Sequence, residues 1–510
     1  MSIKYLIGVL LSLFFVAESH SQIDTADRVF ARIREEGFQH SRVMARVSQL
    51  TDGYGGRLTG SREYLAAAQW VAREMEESGL QQVHFEPFCP DCRGWSLKGF
   101  NLEMTSPYYT KISAYPLVMT KSTNGVVSGE VIHIKSIADI PDIKKQFTGK
   151  LSGKIILKGD APAPQSLEEP LSKRFTTEEL HKMQDKLTPA NAPRNLPELL
   201  KSWEEEESQE EAFLRFAEDQ GALAVLTTRS MQAGIIHPAG TYFNKKDQLQ
   251  PLPYFTISVE HFGRLLRLLE LGKSPQLRLD LDTEIYFEPQ NNVNIIGELT
   301  GTDPRLKEQQ ILLGAHFDSW HAGTGATDNG VNGMVLIEAL RILHDIGYQP
   351  RRTIRMGLWG GEEQAYYGSV AYAVHHFGPL QSAPNAVSRK VSAYLNLDTG
   401  AGVIRGVFLQ ANDNARPVFK ELFRPLKGLT DGIISIENDY DTDHETFDHY
   451  GIPSFSLLQD PLAYESVTHH TNLDVLEYIP AEDTMKNAVI VASLVYALDQ
   501  MQEMVPRKSH

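Results

Sequence analysis

The sequence predicts an α/β fold, a three-layer sandwich with a mixed central sheet and a second, mostly-β unit inserted into it. From Asn292 onward, apolar runs of strand length alternate with helical patterns, as in a sheet that helices cover on both faces. Between about Val126 and Phe287 the pattern changes to short strand-like pieces, a Pro-rich stretch and a polar segment. The length of 510 residues also favours more than one domain.

The elements follow from the spacing of apolar residues. Ser61 can cap a helix running to about Ser78, because Leu65, Ala68 and Met75 recur at helical spacing. Predicted strands are Gly129–Ile134, Lys154–Lys158, Ala222–Thr227, Pro253–Ser258, Asn292–Leu299, Gln310–Ala315, Thr353–Leu358, Val391–Leu397 and Pro453–Leu458. Further predicted helices are Asn332–Ile346, Ser369–His376, Asn412–Leu426 and Ala481–Met504.

The first 21 residues are expected to be an export signal. Lys4 precedes the apolar run Tyr5–Ala17, which is of signal-peptide length, and small residues allow cleavage near Ser21. The alternative is an uncleaved N-terminal anchor. We therefore predict a secreted or periplasmic protein with a signal peptide over 1–21, a main domain over 22–125 and 289–510, and an inserted domain over 126–288.

Composition excludes several classes of protein. With 49 Lys and Arg against 65 Asp and Glu, the formal net charge is −16, which argues against nucleic acid or an anionic membrane as partner. Cys89 and Cys92 are the two cysteines of the sequence, so a disulfide scaffold is excluded, and a local disulfide or two free thiols is expected. The acidic run 203–211 is interpreted as the solvated face of a helix.

Polar side chains collect where the predicted strands end. His316 and Asp318 follow one strand, Asp328 lies in the Gly-rich loop beyond, and Glu362 with Glu363 follows the next strand. Further on, the corresponding positions are Asp398, His469, His470 and Asp474. Because ligands bind at the carboxyl ends of strands in such sheets, we expect these side chains to converge.

Two histidines and three carboxylates suit a pair of zinc ions. Zinc takes imidazole and carboxylate ligands, one carboxylate can bridge, and each ion keeps a position for a shared water. Of the adjacent Glu362 and Glu363, one can bind zinc while the other exchanges protons with the water. Asp318 lies two residues after His316, where it can accept the imidazole N–H and fix the tautomer.

At this point the sequence resembles the dinuclear zinc exopeptidases that include carboxypeptidase Q and secreted bacterial aminopeptidases. The resemblance covers nearly the whole mature chain. It is carried by Arg57–Ser61 (RLTGS), Gly314–Trp320 (GAHFDSW), Gly325–Gly330 (GATDNG), Leu358–Glu363 (LWGGEE), Asn396–Asp398 (NLD) and His469–Asp474 (HHTNLD). It implies the zinc-exopeptidase (phosphorylase/hydrolase-like) fold, an inserted protease-associated domain over 126–288, two Zn²⁺ per chain and a homodimer.

The resemblance also implies roles for individual residues. The implied metal ligands are His316, Asp328 (bridging), Glu363, Asp398 and His470, with His469 as the alternative last ligand. His316 and Asp398 are implied on different ions, although the pairing of His316 with Glu363 or with Asp398 stays open. Glu362 matches the general base, Asp318 the acidic residue beside the first histidine, and His444 and Tyr464 lie in segments that match the substrate pocket. Thr327 departs from the pattern, since relatives often have Asp there.

The predicted activity is hydrolysis of short peptides by an aminopeptidase or dipeptidase. A carboxypeptidase of the same family is the main alternative, because the sequence leaves the polarity open. A glutaminyl cyclase, which uses one zinc, and a receptor-like protein without catalysis are disfavoured, because all five ligands and Glu362 are present.

Overall fold

The computed structural model describes residues 27–160, 168–229, 231, 233–240, 245, 250–382 and 384–508. The predicted signal peptide lies outside these residues. No helix within these ranges is both long and apolar enough to cross a lipid bilayer.

The central sheet is mixed, as predicted, and its middle strands are parallel. In spatial order it contains β1 (Gln81–Pro87), β10 (Val293–Leu299), β12 (Thr353–Trp359), β11 (Gln310–His316), β13 (Val391–Asn396), β16 (Ser454–Gln459), β14 (Ile404–Phe408) and β15 (Ile433–Ser435). Strands β12, β11, β13 and β16 pair in parallel, whereas β1, β10 and β14 pair antiparallel to a neighbour. Their nearly continuous apolar runs are buried on both faces, which is why the sequence predicted them well.

Helices cover both faces of this sheet, which confirms the three-layer sandwich. One layer consists of a helix that includes residues 27–39 (α1), α2 (Val43–Tyr54), α3 (Arg62–Glu77), α8 (Val331–Asp345), α10 (Arg416–Phe423) and α12 (Ala481–Gln500). The other layer contains α9 (Tyr367–Phe377) and α11 (His444–His449). Helix α3 begins where predicted, because the Ser61 hydroxyl accepts the Tyr64 backbone N–H at 2.9 Å.

A second mixed sheet lies between β1 and β10 in the chain. In spatial order it contains β3 (Thr110–Lys111), β2 (Gly94–Ser106), β9 (Gln276–Tyr286), β5 (Val127–Ile134), β6 (Lys154–Lys158), β7 (Ala224–Thr227), β8 (Tyr254–Ile257) and β4 (Ala114–Pro116). The same part of the chain holds α4 (Ile140–Phe147), α5 (Thr177–Gln184), α6 (Leu196–Asp219) and α7 (Val259–Glu270). It is thus more helical than the mostly-β unit that the sequence predicted.

This second sheet begins before the predicted domain boundary at 125/126. Strands β2, β3 and β4 belong to it, because β2 pairs along its length with β9 and β4 pairs with β8. A division of the chain near residues 93 and 287 would follow the boundaries of the two sheets. We still propose, as a prediction, that the second unit is an inserted domain. The acidic run lies in α6, where Glu204–Glu206 are exposed and Phe213 is buried, as interpreted from the sequence.

The two sheets share part of a hydrophobic core. Leu58 and Trp320, which come from the main domain, pack in one cluster with Trp95, Phe213 and other residues of the second sheet and its helix α6. Nearby, Cys89 and Cys92 form a disulfide. The second unit therefore packs directly beside the chain segment that follows β11.

Candidate metal centre and active site

Three parallel neighbours of the central sheet bring their carboxyl ends to one place. His316 is the last residue of β11, Glu362 and Glu363 follow β12, and Asp398 follows β13. Because β11 lies between β12 and β13, the three ends are adjacent. The predicted convergence of these residues is present in the structure.

Two further side chains reach the same point from loops. Asp328 lies in the turn Ala326–Gly330 that leads into α8. His470 follows the turn Tyr464–Thr468 that comes after β16. All five predicted ligands thus face one another, and four of them are buried.

Asp328 lies between two pairs of side chains. His316 Nε2 is 3.0 Å from Asp328 Oδ1 and 2.9 Å from Asp398 Oδ1. On the other side, His470 Nε2 is 3.3 Å from Asp328 Oδ2 and 2.9 Å from Glu363 Oε2. His316 and Asp398 therefore stand together, whereas the resemblance implied different ions for them. The distances group the five residues as a bridging carboxylate with one histidine and one carboxylate on each side.

These residues fit zinc. Ligand atoms at about 2.0–2.2 Å from a tetrahedral ion lie roughly 3.3–3.6 Å apart, close to the separations found here. Asp328 Oδ2, Glu363 Oε1 and Asp398 Oδ1 are buried without a hydrogen-bond partner among the described residues. Such oxygens are costly unless a cation satisfies them.

His469 is a third histidine near Asp328. Its ring nitrogen, Asp328 and His470 have ligand atoms within 4.8 Å of one another, as have His316, Asp328 and Asp398. His469 Nδ1, however, lies 3.5 Å from Glu465 at the edge of the site. His470 makes the shorter contacts with Asp328 and Glu363, which favours it over His469 as the ligand.

Glu362 lines the same cavity as the five predicted ligands, and its side chain forms no hydrogen bond that holds it elsewhere in the described residues. Burial raises the pKa of Glu362 well above its usual range, and the charges of Asp398 and Asp443 raise it further. Burial also acts to raise the pKa of Asp328, but the hydrogen bond from His316 and the charges of His470, His316 and His469 together outweigh it, so the pKa of Asp328 lies below its ordinary value. The two carboxyl groups therefore differ in proton affinity although both are buried.

The Asp318 carboxylate has a different task from the predicted one of accepting the His316 N–H. The backbone oxygen of Asp318, at 3.0 Å, is the nearest partner of His316 Nδ1, while the carboxylate lies 3.7 Å away. The carboxylate accepts the backbone N–H groups of Glu362 and Glu363 at 3.2 and 3.3 Å and the Thr59 hydroxyl at 2.8 Å. Asp318 thus fixes the turn that carries both glutamates.

The turn that carries Asp328 is held by Asp474. Its Oδ1 accepts the Thr327 backbone N–H at 2.6 Å and the Thr327 hydroxyl at 2.8 Å, and its Oδ2 accepts the Asp328 N–H at 3.3 Å. Thr327, the position that departs from the family pattern, thus donates both its backbone N–H and its hydroxyl to Asp474.

Two residues that sequence reasoning did not single out also support the site. The buried Arg57 guanidinium donates to the carbonyls of Phe317, Thr324 and Gly325 at 2.8 Å each. The indole N–H of Trp320 donates to Glu363 Oε2 at 2.6 Å. Both residues lie inside the sequence motifs that carry the resemblance, so those motifs could have indicated their importance.

A cavity of about 440 Å³ opens above the five predicted ligands. Its wall includes Trp203 of α6, Tyr366, Tyr440 and Tyr464. The predicted substrate residue Tyr464 therefore lines the cavity, but His444 does not: its ring is buried, with Nε2 3.2 Å from the Asp439 carbonyl. Burial lowers the pKa of His444 to about 4, consistent with a neutral ring that supports the Asp439 loop from behind.

Fold and site together define a metallo-exopeptidase. The Peptidase family M28 profile matches residues 294–495, the part that contains every predicted ligand. Residues 294–495 thus match a family of dinuclear zinc exopeptidases, and the resemblance seen in the sequence is confirmed.

Individual relatives agree with this assignment. Carboxypeptidase Q of Mus musculus is 24% identical over 493 residues, which cover 96% of this chain and 93% of that protein. Leupeptin-inactivating enzyme 1 of Streptomyces exfoliatus is 32% identical over 161 residues, or 31% of this chain and 34% of that protein.

Solved structures share the fold. A Peptidase M28 precursor from Shewanella amazonensis superposes with a TM-score of 0.69 at 22% identity and covers 96% of this chain and 100% of its own. A zinc aminopeptidase from Bacillus subtilis gives a TM-score of 0.54 at 18% identity, covering 92% and 95%. The family indicates zinc as the metal.

Proposed function

We propose that this chain is an aminopeptidase or dipeptidase that holds two zinc ions and hydrolyses short peptides with a free N-terminus. The observation that supports the two zinc ions is the position of Asp328 between two histidine–carboxylate pairs. We assign His316 and Asp398 to one ion, His470 and Glu363 to the other, and Asp328 to both. The zinc aminopeptidase of Bacillus subtilis, which shares the fold, agrees with this choice.

The residues of the chain have distinct tasks in this proposal. Bound zinc supplies a Lewis acid and makes water a stronger nucleophile near neutral pH. Glu362 takes a proton from the attacking water and delivers it to the leaving amine. Asp318 keeps Glu362 and Glu363 in position through their backbone N–H groups.

The charge of the cavity supports the polarity. Besides the assigned ligands and Glu362, its wall includes Asp439, Asp441, which pairs with Arg194 at 2.8 Å, and Glu465, and none of the described residues that line it is Lys or Arg. An acidic wall suits the α-ammonium group of a peptide. A carboxypeptidase, the activity in the name of several relatives, has no need of such an acidic wall, because its substrates can carry a blocked N-terminus.

The decisive experiment compares free and N-acetylated Leu-Ala substrates with the parent enzyme and Glu362→Gln. We expect cleavage of the free peptides, and a loss of about 100- to 10,000-fold in kcat for Glu362→Gln with two zinc ions per chain retained. Cleavage of N-acetylated peptides alone would refute the polarity. Unchanged activity of Glu362→Gln would refute the general base, and one zinc per chain would refute the two-ion site.

The predicted export and homodimer stay predictions. N-terminal sequencing of the exported protein tests cleavage near Ser21, and the mass in solution tests the dimer.

A further inference from the structure

A second cavity, of about 350 Å³, lies in the second unit beside the metal centre. Lys158 and Thr227, the last residues of the parallel strands β6 and β7, line it together with Tyr254 and Thr256 of β8. Crevices at the carboxyl ends of parallel strands are where α/β sheets bind ligands. The Thr256 hydroxyl is buried there without a hydrogen-bond partner among the described residues.

Two side chains join this second cavity to the metal cavity. Trp203 lines both of them. His237, which lines the second cavity, contacts His470 edge to face, with ring centroids 5.3 Å apart. The second cavity therefore begins one side chain away from a predicted zinc ligand, within the reach of a peptide that extends roughly 3.3–3.6 Å per residue.

The second cavity, unlike the first, is lined by basic side chains, Lys158 and Arg229, which lie beside the carboxylates of Glu206, Glu207 and Glu210. Lys158 is neutralised by Glu210 at 2.7 Å, and Glu210 also accepts the Tyr254 hydroxyl at 3.0 Å. Arg229 lines the same cavity and forms no ion pair with any residue that the structure describes. The guanidinium of Arg229 is thus left for an anionic group, and planar carboxylates suit it best.

We infer that the second cavity binds the leaving-group side of the substrate and that Arg229 pairs with the C-terminal carboxylate of a short peptide. The inference rests on the proposed function, in which the N-terminal residue occupies the acidic metal cavity. It makes the substrates peptides of about two to four residues with both termini free. Arg229 is then a specificity-determining residue that acts on binding.

The test varies the charge at both ends of the substrate. Leu-Ala, Leu-Ala-Ala and their C-terminal amides, each free and N-acetylated, are assayed with the parent enzyme, Arg229→Gln and Arg229→Lys. We expect Arg229→Gln to raise KM for the free acids about 10- to 100-fold, with kcat nearly unchanged and amides unaffected, because one charge-assisted contact is lost. Arg229→Lys should restore part of the affinity. Arg264→Gln removes a positive charge from α7, outside both cavities, and should change nothing.

The outcomes separate the two proposals. Equal KM for acids and amides in the parent enzyme overturns the role of Arg229, as does an effect of Arg229→Gln on both alike. The acid–amide comparison is made in both N-terminal series, so carboxylate recognition is judged even if the proposed polarity fails. A preference for Lys in the second position that Glu206→Gln abolishes would also overturn the inference, because the cavity would then bind a cation.

Discussion

At the scale of the residue, the metal centre is held by side chains that are not themselves assigned as ligands. Asp318 fixes the turn of the two glutamates, Asp474 fixes the turn of Asp328, and Arg57 joins both regions through three carbonyls. Outer partners of this kind set the orientation of metal ligands and tune metal affinity. Their removal should therefore be felt by the metal as well as by the fold.

Asp474→Ala tests this view. The change leaves the backbone N–H groups of Thr327 and Asp328 without an acceptor, while the Thr327 hydroxyl keeps Thr468 Oγ1, so we expect the free energy of unfolding to fall by about 2–4 kcal/mol. Zinc affinity should fall about 10- to 100-fold. Denaturant unfolding and zinc competition with a chelator measure the two effects. Asp413→Ala, which removes an exposed carboxylate paired with Arg416, should change neither appreciably; equal effects of both variants would contradict the assigned role.

The ligand types and their convergence were predictable because they follow buried strands whose ends must meet. The pairing of His316 with Asp398 was not, since it depends on the rotation of side chains around Asp328. His444 misled for a related reason. Its motif lies beside the pocket in the chain, but α11 turns the ring toward the Asp439 carbonyl and away from the cavity.

At the scale of the element, the central strands β11, β12 and β13 act as a rigid base for the site. Their close packing leaves no room at Gly314 of β11, where an added Cβ would lie 2.0 Å from the Tyr394 hydroxyl and 2.4 Å from Trp359 Nε1. These two groups form a hydrogen bond with each other at 2.9 Å under the strand. The glycine therefore permits a close approach of strand and aromatic side chains two residues before His316.

Gly314→Ala should consequently lower the free energy of unfolding by about 1–3 kcal/mol, because buried groups must shift to admit the methyl group. Gly99→Ala in β2 is the matched control, since nothing lies within 4 Å of its added Cβ. Urea unfolding of both variants gives the comparison. Similar losses at the two sites would show that the crowding at Gly314 is not what destabilises the variant.

Long buried elements were predicted to within a few residues, but the two short strands at one end of the central sheet were not. β14 and β15 are five and three residues long, and they lie in sequence that lacks a sustained apolar run. They are strands because β16 and β14 offer them backbone partners. Whether a short segment pairs with a strand that is distant in sequence depends on the whole sheet, so the local pattern of apolar residues does not predict it.

At the scale of the whole molecule, the second unit is joined to the metal centre through a common core. Trp320 packs in the cluster that contains Trp95 and Phe213, while its indole N–H holds the Glu363 carboxylate. Trp203 brings the same unit to the wall of the metal cavity. Packing between the two sheets therefore influences both the position of Glu363, a predicted ligand, and the shape of the metal cavity.

Trp320→Phe should separate these contributions. The ring keeps most of the packing, but Glu363 loses its donor, so we expect zinc affinity to fall about 10- to 100-fold. Trp95→Phe is the matched control in the same cluster, because its indole N–H donates to the Thr120 carbonyl instead. Zinc titration of both variants decides: an equal loss of affinity would attribute the effect to packing alone.

The position of the second sheet along the chain has a consequence for biosynthesis. Its last strand, β9, ends at Tyr286, whereas the first predicted ligand is His316. A ribosome therefore completes the sheet before any ligand emerges, and domains generally fold in that order during synthesis. All strands of the second sheet are thus made before the metal centre can assemble, so we expect the nascent chain to become a peptidase only after its last predicted ligand, His470, has been made.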